Sequence, residues 1–258
     1  MNTARIQRWI KPGIVAVIAV GGLLFAAGAV QAKTTPQDIK YGKSTIKTCS
    51  SKTIKSNYRG DCGKVLQKRL KDLGFYSGKI DGIVGTGTLN AVLNYQRSQH
   101  LSDDAITGPN TWARLAKNPQ VKVANPVPKG CTTKGRVACV SKAQRTATFY
   151  KDGKAVKTIK VRIGGWTDDS TGKMRVHHTV KGTYKVFNKD PNPSSKRYGE
   201  GAMPLSVMFD PNMYFHYSAD FAAHGYARSS HGCVNIGSKS QAKWVYDFMK
   251  VGDKVIVH

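Results

Sequence analysis

The chain has 258 residues, enough for two small domains plus appendages, and 40% of them are hydrophobic, which supports globular cores. It carries 41 Lys and Arg against 15 Asp and Glu, a formal net charge of +26. An excess of this size draws a protein to polyanions, although a lysine-rich solvated surface without a dedicated partner has the same composition. The basic clusters are not interleaved with aromatics at stacking spacing, so nothing points to a nucleic-acid module.

The first segment is not part of a core. Arg5, Arg8 and Lys11 precede an uncharged run over 12–32 that ends Ala29-Val30-Gln31-Ala32. A basic start, an apolar middle and small residues at the end read as a secretory signal peptide over 1–32. Left uncleaved, the same run is a membrane anchor, because about 18 apolar residues span a bilayer. Cleavage after Ala32 removes three basic residues and no acidic one, taking the charge from +26 to +23. For an exported chain the polyanions to consider are cell-wall polymers and anionic lipid head groups.

Five cysteines fit export: Cys49, Cys62, Cys131, Cys139 and Cys233. An odd count leaves one thiol over. The nearest pairs are Cys49 with Cys62 and Cys131 with Cys139, a pairing that leaves Cys233 free. Loops this short limit each bridge to about 2–3 kcal/mol on the chain-entropy estimate.

Residues 33–59 are polar, rich in Lys, Ser and Thr, and without clear periodicity, which predicts a tether. From there to 117 the pattern turns helical. Leu66, Leu70 and Leu73 make one apolar face, with Gly74 placed to stop the helix. Asp81-Gly82 supplies a turn, and Leu89, Val92 and Leu93 line a second helix. Gly108-Pro109 opens a third, bearing Trp112 and Leu115, with proline at its first position.

Within this block Leu66-Gln67, Leu73-Gly74-Phe75-Tyr76, 81–85 (Asp-Gly-Ile-Val-Gly), Thr88, Ala91-Val92, Tyr95-Gln96, Leu101, Gly108 and Thr111-Trp112 resemble the peptidoglycan-binding domain 1 family nearly from end to end. The resemblance implies a small three-helix wall-targeting domain over 60–117. Most of these positions are structural; Tyr76, Asp81 and Gln96 are the ones that look exposed and suited to touch glycan.

Residues 118–129, with Pro119, Pro126 and Pro128, read as an extended, semi-rigid linker that holds two domains apart. Strand patterns follow over 130–258: 146–150 and 155–163 around Asp152-Gly153, a pair within 176–187 around Lys181-Gly182, then 205–209 and 214–217. Ser238 and Gln241 form a capping box ahead of a helix bearing Ala242, Val245 and Met249, and 254–258 closes the chain as a strand. The expected architecture is therefore multidomain, a three-helix domain followed by a mainly β domain.

The stretch 229–235 reads Ser-Ser-His-Gly-Cys-Val-Asn, and His216 stands seventeen positions before Cys233. A cysteine acts as a nucleophile through its thiolate, which imidazole or cationic neighbours favour. A buried structural cysteine is the plain alternative. A zinc site is another, since His216, His224, His231 and Cys233 lie close in sequence, but no His-x3-His or Cys-x2-Cys pair is present. The stretch is similar to the signature of the YkuD-type L,D-transpeptidase catalytic domain, with Gly225 matching the spacer glycine. It departs from that signature at Tyr217, where many members have glycine, and at Thr179-Val180-Lys181-Gly182, where Thr-Pro-x-Gly is usual.

The resemblance implies a β-sandwich-like fold with Cys233 as nucleophile at its mouth and His216 as general base. It also implies that the Tyr217 carbonyl orients the base, and that Ser230, His231, Gly232 and Asn235 support the motif. Backbone N–H groups around Gly232 and Cys233, assisted by the His231 side chain, would serve the oxyanion. His224 would be a loop histidine near the cleft. The implied reaction is peptidoglycan crosslinking through a cysteine thioester, with stem peptides and glycan as partners and neither cofactor nor metal. Membrane contact follows only if the leader is kept. The alternatives are an L,D-carboxypeptidase, an enzyme attaching a protein to the wall, and a non-catalytic wall-binding protein. In each case the place of work is the cell envelope.

Overall fold

The computed structural model describes residues 35–117, 123–195 and 199–258. The expected leader over 1–32, the first two residues of the expected tether and the first five of the expected linker lie outside them.

The segment expected to be a tether is, from residue 35 on, part of the helical module. It runs through a 3-10 turn, Pro36–Asp38, a short hairpin of β1 (Lys40–Tyr41) and β2 (Ser44–Thr45), and helix α1 (Ile46–Cys49). Its apolar residues are too sparse to show a period, yet Ile39, Ile46, Cys49 and Ile54 are buried with Leu66, Leu70 and Trp112 in one core. The Cys49–Cys62 disulfide ties α1 to helix α2 (Asp61–Asp72). Helices α3 (Thr86–Ser98) and α4 (Pro109–Leu115) complete the module, with Pro109 at the first helical position. Gly74, at φ 76°, ends the α2 segment, and the Phe75 N–H returns to the Leu70 carbonyl at 2.8 Å.

Two glutamines staple the loops between these helices in the same way. The Gln67 amide donates to Asp81 Oδ1 at 2.9 Å, the Ile83 carbonyl at 3.0 Å and Thr88 Oγ1 at 3.2 Å, and its oxygen accepts from Gly82 N–H. One helix later, the Gln96 amide donates to Asp104 Oδ1 at 2.8 Å, the Ile106 carbonyl at 2.9 Å and Thr111 Oγ1 at 3.2 Å, and its oxygen accepts from Ala105 N–H. The module is thus an internal repeat, α2 to α3 and α3 to α4. Gly82 and Ala105 hold equivalent left-handed positions at φ 79° and 65°.

The C-terminal domain is mainly β. Its strands are β3 (Arg136–Ser141), β4 (Thr146–Lys151), β5 (Lys154–Lys160), β6 (Trp166–Asp168), β7 (Met174–Val176), β8 (Gly182–Lys185) and β9 (Asn188–Asp190). Then come β10 (Ser194–Ser195), β11 (Gly199–Glu200), β12 (Ser206–Asp210), β13 (Met213–Tyr217), helix α5 (Ala219–His224), β14 (Val234–Ile236), helix α6 (Lys239–Phe248) and β15 (Lys254–Val257). One sheet has the order β5-β4-β3-β15-β8 and a second β14-β13-β12-β9. They share a core in which Phe149 of the first meets Phe215 of the second at 5.8 Å between rings, with Val245 of α6 and Met249 just after it packed in.

The pair of strands expected around Lys181-Gly182 is not a hairpin. β7 pairs with β6, while β8 pairs with the C-terminal β15. Local turn chemistry gave no sign of those distant partners. The Cys131–Cys139 disulfide pins the start of the domain to β3.

The two modules are not held apart, contrary to the reading of the proline-rich linker. Trp166 and Val176 of the β6–β7 hairpin pack on the helical core. Asp103 of the helical module pairs with Lys142 at 3.2 Å and with Arg97 of its own module at 2.7 Å. The Arg145 guanidinium lies over Phe75 of one module and Tyr226 of the other, at 5.3 and 4.2 Å from the ring centres. A linker's composition sets its stiffness, but complementary surfaces decide whether its domains dock.

Candidate active site

Strand pairing brings the motif to His216. β13 and β14 run parallel, with Phe215 opposite Val234 and His216 opposite Asn235. Side chains alternate between faces along a strand. Phe215, Val234 and Ile236 therefore enter the core, while His216, Asn235 and, one step before the strand, Cys233 share the outer face. Bridges from Arg162 to Asn235 and from Gly164 to Ser230 hold the motif's other side.

The result is a cleft of about 710 Å³ lined by Cys233, His216, Asn235, Ser230, His231 and Arg162, among others. Cys49, Cys62, Cys131 and Cys139 are bonded in pairs, and Cys233 is the free cysteine. It is partly exposed in the cleft, and its sulphur bonds the Asn212 carbonyl at 3.8 Å rather than His216. Protein packed around the sulphur pushes the thiol up to about 11, opposed in part by a backbone bond from Tyr214. That is the reverse of the low value that a cationic or imidazole neighbour would produce.

His216 is buried, and Nδ1 meets the Tyr217 carbonyl at 2.7 Å. Burial brings the imidazole down to about 4, the Tyr217 bond partly opposes this, and the charge of Arg162 lowers it further. Nε2 lies 2.8 Å from the Asn235 amide nitrogen. The orientation of that amide follows from Arg162, whose Nε and second terminal nitrogen donate to Asn235 Oδ1 at 3.1 and 2.9 Å. Arginine has no acceptor, so the asparagine oxygen must face it and the NH2 must face His216. His216 is then protonated on Nδ1, and its Nε2 lone pair accepts from the Asn235 NH2. Arg162 is in turn paired with Asp220 at 2.7 Å.

The other motif residues have structural tasks. Ser230 Oγ donates to the Cys233 carbonyl and accepts from the Gly232 N–H at 3.2 Å. That bond occupies one of the N–H groups expected to serve an oxyanion. Gly232, at φ 129°, stands where a Cβ would meet the His178 carbonyl at 3.3 Å. His231 is held by its Nε2, which lies 2.7 Å from the Asp168 carbonyl of β6. His224 closes α5 beside the Asp220 carboxylate at 2.9 Å; it is on a helix, not a loop, and does not line the cleft.

Of the glycan candidates, Gln96 is buried at 1% exposure and, as described, is a loop staple. Asp81 accepts from the Ile83 N–H at 2.9 Å and holds its own turn, and Tyr76 donates to the Lys79 carbonyl at 2.7 Å. Among the described residues, no group of three His, Cys, Asp or Glu is arranged to hold a metal ion. Sequence reasoning missed Arg162, Asp220 and Thr179 as site residues. Thr179 Oγ1 donates to the Gly232 carbonyl at 2.7 Å and accepts from the Gly164 N–H at 3.0 Å.

Residues 135–257 match the family described as the L,D-transpeptidase catalytic domain, YkuD, and residues 63–115 match the putative peptidoglycan-binding domain. The N-acetylmuramoyl-L-alanine amidase CwlM of Mycobacterium tuberculosis is 52% identical over 56 residues, which are 22% of this chain and 14% of that protein. An uncharacterised protein of the bpoA1 3′ region in Kitasatospora aureofaciens is 34% identical over 103 residues, 40% of this chain and 84% of that one. The solved L,D-transpeptidase of Xylanimonas cellulosilytica is 26% identical, with 80% of this chain and 98% of that chain covered at a TM-score of 0.42. With the two family matches lying on the two modules in chain order, this chain carries a YkuD-type L,D-transpeptidase catalytic domain behind an N-terminal peptidoglycan-binding module.

Proposed function

We propose that the protein is a cysteine-dependent peptidoglycan L,D-transpeptidase of the cell envelope. The observation that carries this reading is the free Cys233 in a cleft shared with His216, whose Nε2 is a proton acceptor. In the reaction proposed, Cys233 Sγ attacks the carbonyl of the diamino acid in a donor stem, and its proton passes to His216 Nε2. The bond to the terminal D-alanine breaks and the proton leaves with its amine. The amine of a second stem then attacks the thioester and restores the thiol as the crosslink forms.

Because the cleft disfavours both thiolate and imidazolium, the resting pair is neutral, and the proton moves as the carbon–sulphur bond forms. Nε2 must first exchange its Asn235 contact for the thiol. With the Gly232 N–H taken by Ser230, the Cys233 N–H is the donor assigned to the developing oxyanion. The peptidoglycan-binding module, together with the basic surface, suits attachment to wall polymers.

The test is incubation with a disaccharide-tetrapeptide, following D-alanine release and dimer formation. Both are expected with the wild-type protein and neither with Cys233→Ala. D-alanine release without dimers points to the carboxypeptidase, and equal turnover by Cys233→Ala sinks the reading.

A further inference from the structure

One wall of the catalytic cleft belongs to the other module. Thr86 and Gly87, the first turn of α3, line the same cavity as Cys233, together with Ala227, Arg228 and Ser229 of the catalytic domain. One turn further along α3, Asn90 takes both backbone groups of Trp166. Its Oδ1 accepts from the Trp166 N–H at 2.8 Å, and its amide donates to the Trp166 carbonyl at 3.2 Å. A side chain thus serves as the edge partner of β6, the strand whose next residues, Thr167 and Asp168, also line the cleft. The approach depends on Gly165, where a Cβ would lie 2.6 Å from Asn90 Oδ1 and 2.8 Å from Ser229 Cβ.

Resting on the reading of the cleft as a stem-peptide site, we propose that the peptidoglycan-binding module is part of that site. In this role α3 is a specificity element that favours donor stems still attached to the glycan strand. A module on a free tether raises the local concentration of every nearby stem alike. A module that forms the wall instead fixes where the strand enters, so the saccharide end of a donor runs along α3 while its peptide reaches Cys233. Ligands that lack the saccharide do not use this contact.

Gly87 allows a direct test because it is helical and its added Cβ would meet only Tyr76 at 3.8 Å and the Ala227 carbonyl at 4.0 Å. Gly87 lines the cleft, so a large side chain there is expected to narrow it. Gly87→Trp is expected to lower kcat/KM for D-alanine release from a disaccharide-tetrapeptide about tenfold, mainly through KM. The free tetrapeptide is expected to lose less than about threefold. Asn90→Ala, which loosens the wall without filling the cleft, is expected to narrow the preference for the disaccharide-linked donor, and it serves if Gly87→Trp melts early. Variants that are folded by thermal melt and keep the wild-type ratio between the two donors overturn the inference alone. Wild-type protein that releases no D-alanine from either donor overturns the functional reading and the inference with it.

Discussion

Arg162 supports the tautomer of His216 through Asn235, without touching the ring. The guanidinium takes the oxygen of Asn235, the asparagine turns its NH2 to Nε2, and the imidazole proton is left on Nδ1 against Tyr217. The same positive charge helps to hold the ring neutral. Arg162→Met should therefore move the His216 titration upward in an NMR pH series, while the Tyr217 carbonyl keeps the imidazole proton on Nδ1. It should also cost about 1–3 kcal/mol, because Asp220 loses its buried partner while staying partly solvated. An unchanged titration contradicts the relay.

Stability should fall at both ends of the pH range. His216 is held near 4 when folded against 6.5 when unfolded, so between those values the unfolded chain binds the proton. Its contribution, on the order of 3 kcal/mol, is full above the unfolded value and lost as pH falls toward the folded one. Cys233 has the opposite sign: the folded thiol is raised to about 11 from 9.0, so its contribution is full below the unfolded value and lost as pH rises through that window. Urea midpoints across pH should show both limbs, with Cys233→Ala flattening the alkaline one. An alkaline limb that is the same in Cys233→Ala contradicts the thiol assignment.

Thr179 spans two backbone segments, and its hydroxyl is buried between the Gly164 N–H and the Gly232 carbonyl. Thr179→Val keeps the shape and leaves both groups unpaired. A loss of about 1–3 kcal/mol is expected, with slower acylation of Cys233 because its turn is no longer held. Thr179→Ser should restore most of both. If valine leaves the acylation rate unchanged, the hydroxyl only supports the fold.

Ala105 occupies the left-handed position that Gly82 fills in the preceding half of the repeat. Ala105→Gly relieves about 1–2 kcal/mol of local strain and gives part of it back in unfolded-state entropy. A net gain of up to about 1 kcal/mol in chemical denaturation is expected. A clear loss of stability would show that packing of the Ala105 methyl outweighs the backbone term.

The legible parts of this chain were those with local signals. Leucine spacing and Pro109 marked α2 to α4, Asp152-Gly153 marked the β4–β5 turn, and the motif around Cys233 marked one side of the cleft. Nearest-neighbour cysteines are the pairs that the structure bonds. What was hidden depended on distant partners. Residues 35–59 bury a few isolated apolar side chains that no periodicity reveals, and Gln96 looks solvated until its four loop partners are known. Arg162 reaches Asn235 across 73 positions and Asn90 reaches Trp166 across 76. A burial-raised thiol is likewise a property of packing and not of the neighbours in sequence.

The most direct test of Cys233 as the nucleophile is intact mass after incubation of the protein with a carbapenem, beside Cys233→Ala. A single adduct of the carbapenem's mass on the wild-type protein, absent from the variant, is expected. An adduct of equal yield on Cys233→Ala, or an unmodified wild-type protein whose Cys233 still reacts with a simple alkylating agent, contradicts the assignment.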